Sequence, residues 1–308
     1  INLMKILLSP SSIGQISSAP LDLLTSNGYE IIINPYGRKL TSNEVVSLAS
    51  DCIGIVAGLE PLDKTVLNKL PKLKCISRVG VGMDNIDIDY AEKKGIKIVN
   101  TPNGPTRAVA ELTLGLTMSL LRKIPSANND IKNKNWKKYT GNLLFNKKIG
   151  VLGLGRIGKN VSELFLGLGN EVYGYDINPD LEWAKKKKIY LKGFNEILST
   201  CDIITVHIPG SNNSKPFISK KELNLMKKDS ILINVSRGGV VDETDLFNFL
   251  KENKILGAAV DVFNEEPYYG PLCDLDNIIL TPHMGSYAKE GKLQMEIDAV
   301  NNLISSLK

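Results

Sequence analysis

Ile149-Gly150-Val151-Leu152-Gly153-Leu154-Gly155-Arg156-Ile157-Gly158 is the stretch on which the fold turns. The apolar run Lys147–Leu152 reads as a strand, and a helical pattern begins at Arg156. Between them lies G-x-G-x-x-G, with Gly153, Gly155 and Gly158 in the three glycine positions. A sharp strand-to-helix turn needs the first glycine. The second lets backbone approach a pyrophosphate, and the third brings helix and strand into contact. The helix start then offers free N–H groups and a partial positive charge to phosphate, through Gly155, Arg156 and Ile157. A second strand, Glu171–Tyr175, ends in Asp176, 23 residues after Gly153. A carboxylate there accepts hydrogen bonds from a ribose and repels a ribose 2′-phosphate, and Ile177-Asn178 offer no cation to receive one. The expected cofactor is therefore NAD rather than NADP.

Outward from that loop, short continuous apolar runs alternate with helical patterns. Before it the strands read as Met4–Leu8, Tyr29–Asn34, Ile53–Ala57, Leu73–Ser77 and Ile96–Val99; after it as Ile189–Leu191, Ile203–His207, Ile231–Val235, Ala258–Val262 and Ile278–Leu280. Runs that are apolar throughout, not alternating, belong to parallel sheets covered on both faces. The expected class is α/β, with two Rossmann-like or flavodoxin-like doubly wound parallel-sheet domains separated by a cleft. Expected boundaries are 1–99 with 284–308 for the first domain and 100–283 for the second, since the last helix, from Tyr287 to Leu307, has no strand after it. A long helix, Thr106–Lys123, joins them, followed by a polar excursion from Ser126 to Asn142 that contains Trp136.

Composition agrees with two globular cores: 308 residues, 43% hydrophobic and 23% charged. The longest nearly apolar stretch, Leu112–Leu121, falls well short of a membrane span. Lys5-Ile6-Leu7-Leu8 meets Ser9-Pro10 too soon to form a signal-peptide core, and Met4 reads as the native start, with Ile1-Asn2-Leu3 upstream of it. A cytoplasmic protein is expected. Cys52, Cys75, Cys201 and Cys273 are too far apart for a metal or redox pair, so no metal is expected and reduced thiols are. The net charge of +5 comes mostly from lysines such as Lys185–Lys188, which lack interleaved aromatics and read as solvated helix face. No nucleic-acid or membrane partner is expected.

Several separated stretches together resemble the D-isomer-specific 2-hydroxyacid dehydrogenases, especially the phosphoglycerate dehydrogenase branch. They are Arg78–Asp87 (RVGVGMDNID), Asn100-Thr101-Pro102, Val109–Thr113 (VAELT), the glycine loop, His207-Ile208-Pro209, Asn234–Asp242 (NVSRGGVVD), Gly257–Phe263 (GAAVDVF) followed by Glu265-Glu266-Pro267, and Thr281–Gly285 (TPHMG). The resemblance implies a catalytic set of Arg237, Glu266 and His283. The chemistry explains those residue types. Reduction of a 2-keto acid needs a proton donor for the developing alkoxide, and a cation to hold the substrate. His283 is the expected acid, and the base in reverse. Glu266 on its other ring nitrogen would fix the tautomer and favour the charged ring. Arg237 would grip carboxylate and keto oxygen as a fork.

The resemblance adds His207, Ile208, Pro209, Val235, Ser236, Asp261 and Gly285 to the cofactor site. His207 is expected to shape the loop beside the cofactor, with Ile208 contacting it through backbone, and not to act as the acid. In the glycine-rich loop Val79–Asp84, the amides of Val81 and Gly82 are expected to bind the substrate carboxylate, and Arg78 to reach an anionic tail.

Two departures from the phosphoglycerate pattern stand out. Pro105-Thr106-Arg107-Ala108 replaces the Asn-x-x-Ser found before Val-Ala-Glu in many members, and Ala57-Gly58-Leu59-Glu60 lacks the arginine that helps bind the substrate phosphate. Lys137 and Lys138, beside Trp136, are candidates to supply that charge from a neighbouring subunit. The chain stops at Lys308, so a C-terminal regulatory domain is not expected. Tyr90-Ala91-Glu92-Lys93-Lys94 has the Y-x-x-x-K spacing of short-chain dehydrogenases but precedes the glycine loop, and reads as solvated surface. The leading expectation is a D-3-phosphoglycerate dehydrogenase. The same-chemistry alternative is a glyoxylate/hydroxypyruvate or D-lactate-type enzyme, and the alternative of another class is an NAD(H)-sensing binding protein or corepressor. Apolar residues on more than one face of Thr106–Lys123 point to a homodimer.

Overall fold

The structure is a computed structural model that describes residues 4–210 and 215–308. Ile1-Asn2-Leu3, read above as upstream sequence, lies outside the described residues. The chain divides into two compact units, Ile1–Pro105 with Ser286–Lys308, and Thr106–Gly285. The division falls a few residues later than expected at both crossings.

Unit 1 runs β1 (Met4–Leu8), α1 (Ala19–Ser26), β2 (Tyr29–Ile33), α2 (Ser42–Ala49), β3 (Cys52–Ala57), α3 (Lys64–Leu67), β4 (Cys75–Arg78), α4 (Ile88–Lys93) and β5 (Lys97–Asn100). All five strands are parallel, in the order β2-β1-β3-β4-β5. Leu7, Ile55 and Ile76 point to one face with Val45, Val66 and Ala91 of the helices. Ile6, Leu8, Val56 and Cys75 point to the other, where Leu24 and the last helix's Ala299, Val300 and Leu303 cover them. Each such fully buried aliphatic side chain contributes about 1.5–3 kcal/mol. Helix starts are tied down locally: Thr41 and Glu44 form a capping box on α2, and Asp63 and Asp87 cap α3 and α4.

Unit 2 holds α5 (Pro105–Leu121), α6 (Ile124–Lys132), β6 (Lys148–Leu152), α7 (Arg156–Gly167), β7 (Glu171–Tyr175), α8 (Leu181–Lys187), β8 (Tyr190–Leu191), α9 (Phe194–Thr200), β9 (Ile203–Val206), α10 (Lys220–Leu223), β10 (Ile231–Asn234), α11 (Glu243–Lys251), β11 (Gly257–Val260) and β12 (Ile278–Leu280). Helix α12 (Lys289–Leu307) returns to unit 1. The unit 2 sheet is parallel throughout, in the order β12-β11-β10-β9-β6-β7-β8. Its winding reverses between β6 and β9, which is where sheets of this kind bind ligands.

Two sequence expectations need correcting. The polar stretch 126–142 is not wholly irregular, because α6 occupies its first part. Its Ser and Asn content conceals it: Pro125 stands in its first turn, but Lys123 enters it at φ +52° without a side-chain cap, and it buries no residue. The surplus apolar surface assigned to Thr106–Lys123 is also mostly elsewhere. Val109, Ala110, Leu116 and Leu121 are buried in unit 2, and Leu112, Leu114 and Leu120 pack against the same core. The exposed large side chains follow the helix instead: Ile124, Ile131, Trp136 at 84%, Leu143 and Phe145. Cys52, Cys75 and Cys201 are buried thiols, and Cys273 is exposed. Tyr90 of the Y-x-x-x-K spacing donates its hydroxyl to Asn68 Oδ1 at 2.9 Å, with Lys64 and Lys94 over its ring.

Candidate active site

The glycine loop leaves the carboxyl end of β6. Gly153 has φ +95°, which an L side chain rarely adopts, and a Cβ there would lie 2.6 Å from the carbonyl oxygen of His207. At Gly158 a Cβ would lie 1.9 Å from the Gly153 carbonyl oxygen, so only hydrogen fits between helix α7 and the turn. Nothing lies within 4 Å of the Cβ position of Gly155, the residue that starts α7. The loop therefore packs tightly on its protein side and is open on the side that meets a ligand. Asp176, at the end of β7, is held by two amides, Leu154 N to Oδ2 at 2.7 Å and Asn178 N to Oδ1 at 2.9 Å. Donors to a carboxylate keep it in one orientation, facing the same turn. These residues fit a dinucleotide.

Across the reversal point, His207 follows β9 directly. Its amide donates to the Leu152 carbonyl at 2.7 Å, and Nε2 and the Thr205 hydroxyl share a bond of 2.8 Å. Nδ1 is enclosed without a hydrogen-bond partner, and burial pushes the imidazole down to about 3. The ring is thus neutral near neutrality, which suits a loop-shaping role and not an acid. Ile208 is half-buried and Pro209 is exposed.

Arg237, Glu266 and His283 come from the loops after β10, β11 and β12, three adjacent parallel strands, and so lie on the same carboxyl edge. Asn234 shapes the first loop: its Oδ1 accepts from Ser236 N and Oγ, and its Nδ2 donates to the Arg237 carbonyl. Val235 is buried beneath. Arg237 Nη1 donates to the Ser236 carbonyl at 2.8 Å. A Cβ on Gly238 would lie 2.0 Å from the carbonyl oxygen of Phe263, so this glycine lets the β10 loop rest against the β11 loop. The amide of Phe263 then donates to Glu266 Oε1 at 3.0 Å.

Glu266 meets His283. Nδ1 lies 2.8 Å from Oε2 and 3.0 Å from Oε1. An ionised carboxylate only accepts, so Nδ1 carries the proton and Nε2 is left facing away from Glu266. His283 has φ +50°, an uncommon conformation for a residue with a side chain, of the kind that collects at functional sites. Asp261 holds the backbone in that shape. Its Oδ1 accepts from the Thr281 hydroxyl at 2.5 Å and from Met284 N at 2.9 Å, and its Oδ2 accepts from Gly285 N at 2.9 Å. Burial pushes the Asp261 carboxyl up, while those three donors pull it down. The sequence reading missed Thr281 as this aspartate's partner. No single-residue signal marks it, because the pairing exists only once β11 and β12 lie side by side.

The remaining predicted residues belong to unit 1. The loop after β4 is pinned by β5: Gly80, at φ +132°, donates to Thr101 Oγ1 at 2.7 Å, and Asn100 Nδ2 donates to the Val81 carbonyl at 3.0 Å. Val81 is exposed and Gly82 half-exposed. Arg78 is 8% exposed, and its Nη1 donates back to the Val79 carbonyl, so the guanidinium folds beneath the loop. Lys137 stands apart from the other predicted site residues of unit 2. Its ammonium lies over the Tyr139 ring and it lines a 430 Å³ cavity with Asp130, Ile231 and Asn277. That is the amino edge of β10 and β12, opposite the edge that carries His283. Lys138 is exposed beside it.

The family model described as "D-isomer specific 2-hydroxyacid dehydrogenase, NAD binding domain" matches residues 114–285. The chain belongs to the D-isomer specific 2-hydroxyacid dehydrogenase family. A relative from Methanocaldococcus jannaschii, named D-3-phosphoglycerate dehydrogenase, is 40% identical over 258 residues, covering 82% of this chain and 49% of that one. The chain spans about half the length of the curated relatives it matches. Among solved structures, a protein from Thermus thermophilus superposes with a TM-score of 0.90 at 28% identity, covering 99% of this chain and 97% of that one. D-Lactate dehydrogenase from Aquifex aeolicus, solved with NAD and lactic acid, gives 0.83 at 25% identity, covering 97% and 93%. The family's NAD-binding domain thus falls on unit 2. Among the described residues no helix is long and apolar enough to cross a membrane, and no group of three or more His, Cys, Asp or Glu is placed to hold a metal ion.

Proposed function

We propose that the chain is an NAD-dependent oxidoreductase that interconverts D-2-hydroxy acids and 2-keto acids. The observation that carries this reading is the bond from His283 Nδ1 to the Glu266 carboxylate, in the same unit as a loop built for a dinucleotide. NAD, when bound, would accept a hydride, one proton with two electrons, from the hydroxy acid, or return it to the keto acid, while the second proton passes through His283. The Gly153–Gly158 turn and the start of α7 hold its pyrophosphate, through Gly155, Arg156 and Ile157, and Asp176 takes the ribose hydroxyls. His207, Ile208, Pro209, Val235, Ser236, Asp261 and Gly285 bound the rest of the cofactor site.

As the keto group is reduced, negative charge grows on its oxygen. His283 presents Nε2 to that oxygen and gives up its proton, while Glu266 orients the ring and balances the imidazolium. In the oxidative direction the same nitrogen takes the hydroxyl proton. Arg237 stays charged and holds carboxylate and carbonyl oxygen together. Unit 1 is the substrate-binding domain, offering the amides of Val81 and Gly82 to the carboxylate, with Arg78 beneath them. The exposed run Ile124, Ile131, Trp136, Leu143 and Phe145 supports a second copy of the chain as partner.

The names of the curated relatives make 3-phosphohydroxypyruvate the first acid to try; hydroxypyruvate, glyoxylate and pyruvate complete the panel. Oxidation of NADH on at least one of them is expected. Tight NADH binding with turnover on none would reject the enzyme in favour of a nucleotide-sensing protein.

A further inference from the structure

In a parallel sheet of order β2-β1-β3-β4-β5 the winding reverses between β1 and β3, and the loops leaving those two strands part to form the ligand crevice. Here they begin at Ser9 and Gly58, and Ser9 N donates to the Val56 carbonyl at 3.0 Å. The Gly58 amide, at the carboxyl end of β3, is the kind of donor that receives an anion in such a crevice. It is already taken. Both carboxylate oxygens of Glu60 accept from it at 3.0 Å. Glu60 is 1% exposed, and Pro10, from the opposite loop, lies 3.5 Å from the Cβ position of Gly58. Asn85 Nδ2 pins the turn by donating to the carbonyls of Glu60 at 2.6 Å and Gly58 at 3.3 Å. Burial pushes the Glu60 carboxyl up, against the pull of the Gly58 amide and of the charge on Arg78, which ends the next strand. A shallow cavity of about 430 Å³ beside the turn is lined by Leu59, Pro61, Asp63, Asp84 and Asp87, with Lys39 among them, so the adjoining surface is acidic as well.

We infer that Glu60 fills the anion position of this crevice with the chain's own carboxylate, so that the acid it accepts carries an uncharged end, and not a phosphate, opposite its carboxyl group. The inference rests on the dehydrogenase reading above and names its substrate class. A phosphate dianion would bring two further negative charges to a low-dielectric site beside a buried carboxylate, where like charges repel strongly. A hydroxymethyl, methyl or hydrogen end adds none. Glu60 acts on the tail and not on the reacting carbon, so it is a specificity residue.

Hydroxypyruvate and 3-phosphohydroxypyruvate differ by the phosphate alone, and NADH oxidation by the full chain on each reads the difference. Native protein is expected to favour hydroxypyruvate at least tenfold in kcat/KM, with the gap in KM. Glu60→Gln, equal in shape and without the charge, is expected to move that ratio at least tenfold towards the phosphorylated acid. A native preference for the phosphorylated acid overturns the inference and leaves the dehydrogenase standing. So does an unmoved ratio in a Glu60→Gln protein with a native circular dichroism spectrum. If that variant does not fold, the native ratio decides alone. Turnover on no 2-keto acid at all overturns the dehydrogenase reading, and this inference with it.

Discussion

His283 and His207 are the chain's two imidazoles, and their surroundings assign them opposite work. His283 donates Nδ1–H to Glu266 and keeps Nε2 for a ligand. Replacing it with Ala should leave NADH affinity close to native, by fluorescence titration, and lower kcat on the best keto acid by about 10²-fold or more, the usual worth of positioned acid–base catalysis. An equal loss of NADH affinity would make it a cofactor ligand instead. His207 has no carboxylate and an enclosed Nδ1, so it folds neutral at about 3 against an ordinary value near 6.5. The unfolded chain therefore binds a proton that the folded chain refuses. Stability from this group is complete above pH 6.5 and is lost as pH falls towards 3, by at most about 1.4 kcal/mol per pH unit. Melting temperatures measured from pH 7 to 5 should fall more steeply for native protein than for His207→Asn. Parallel curves would show that the ring protonates in the fold.

Among the elements, the β6–turn–α7 unit is held by contacts that admit no side chain. Gly158→Ala would put a methyl group 1.9 Å from the Gly153 carbonyl oxygen, so helix or turn must move. Overpacking of this kind costs about 1–3 kcal/mol. It should also weaken NADH binding at least tenfold, because it displaces the amides proposed to hold the pyrophosphate. Unchanged melting temperature and NADH affinity would mean the turn absorbs a methyl group freely. This unit was legible in the sequence because its constraint is written in residue type: where backbone must touch backbone, only glycine serves. The strands were legible for a similar reason, being apolar on both faces. Helix α6 was not, since Ser, Asn, Asp and Lys make up more than half of it and its two isoleucines are exposed, with no buried face to leave a period. Glu60 was not either. A glutamate after Gly-Leu looks like solvated loop, and its burial depends on Pro10 and Asn85 arriving from other segments. The same limit hid Thr281 behind Asp261.

At the scale of the whole molecule, the apolar side chains left uncovered after α5 bear on assembly. Trp136, Leu143, Phe145, Ile124 and Ile131 cluster within 22 residues of sequence, more large exposed apolar groups than a solitary chain usually carries in one segment. Light scattering should give about twice the chain mass of 33.8 kDa, and Trp136→Lys with Phe145→Lys should shift the mass towards one copy. A monomeric native protein would leave that face for another partner.

The proposed reaction moves a hydride between NAD and the C2 carbon of a 2-keto acid, with D configuration at the product. NADH deuterated at both C4 positions, incubated with the chain and its best keto acid, tests it most directly. A 2-hydroxy acid with deuterium on C2, of the D form by chiral chromatography, is expected, and almost none from His283→Ala over the same time. Product of the L form, or C2 without deuterium, would contradict it.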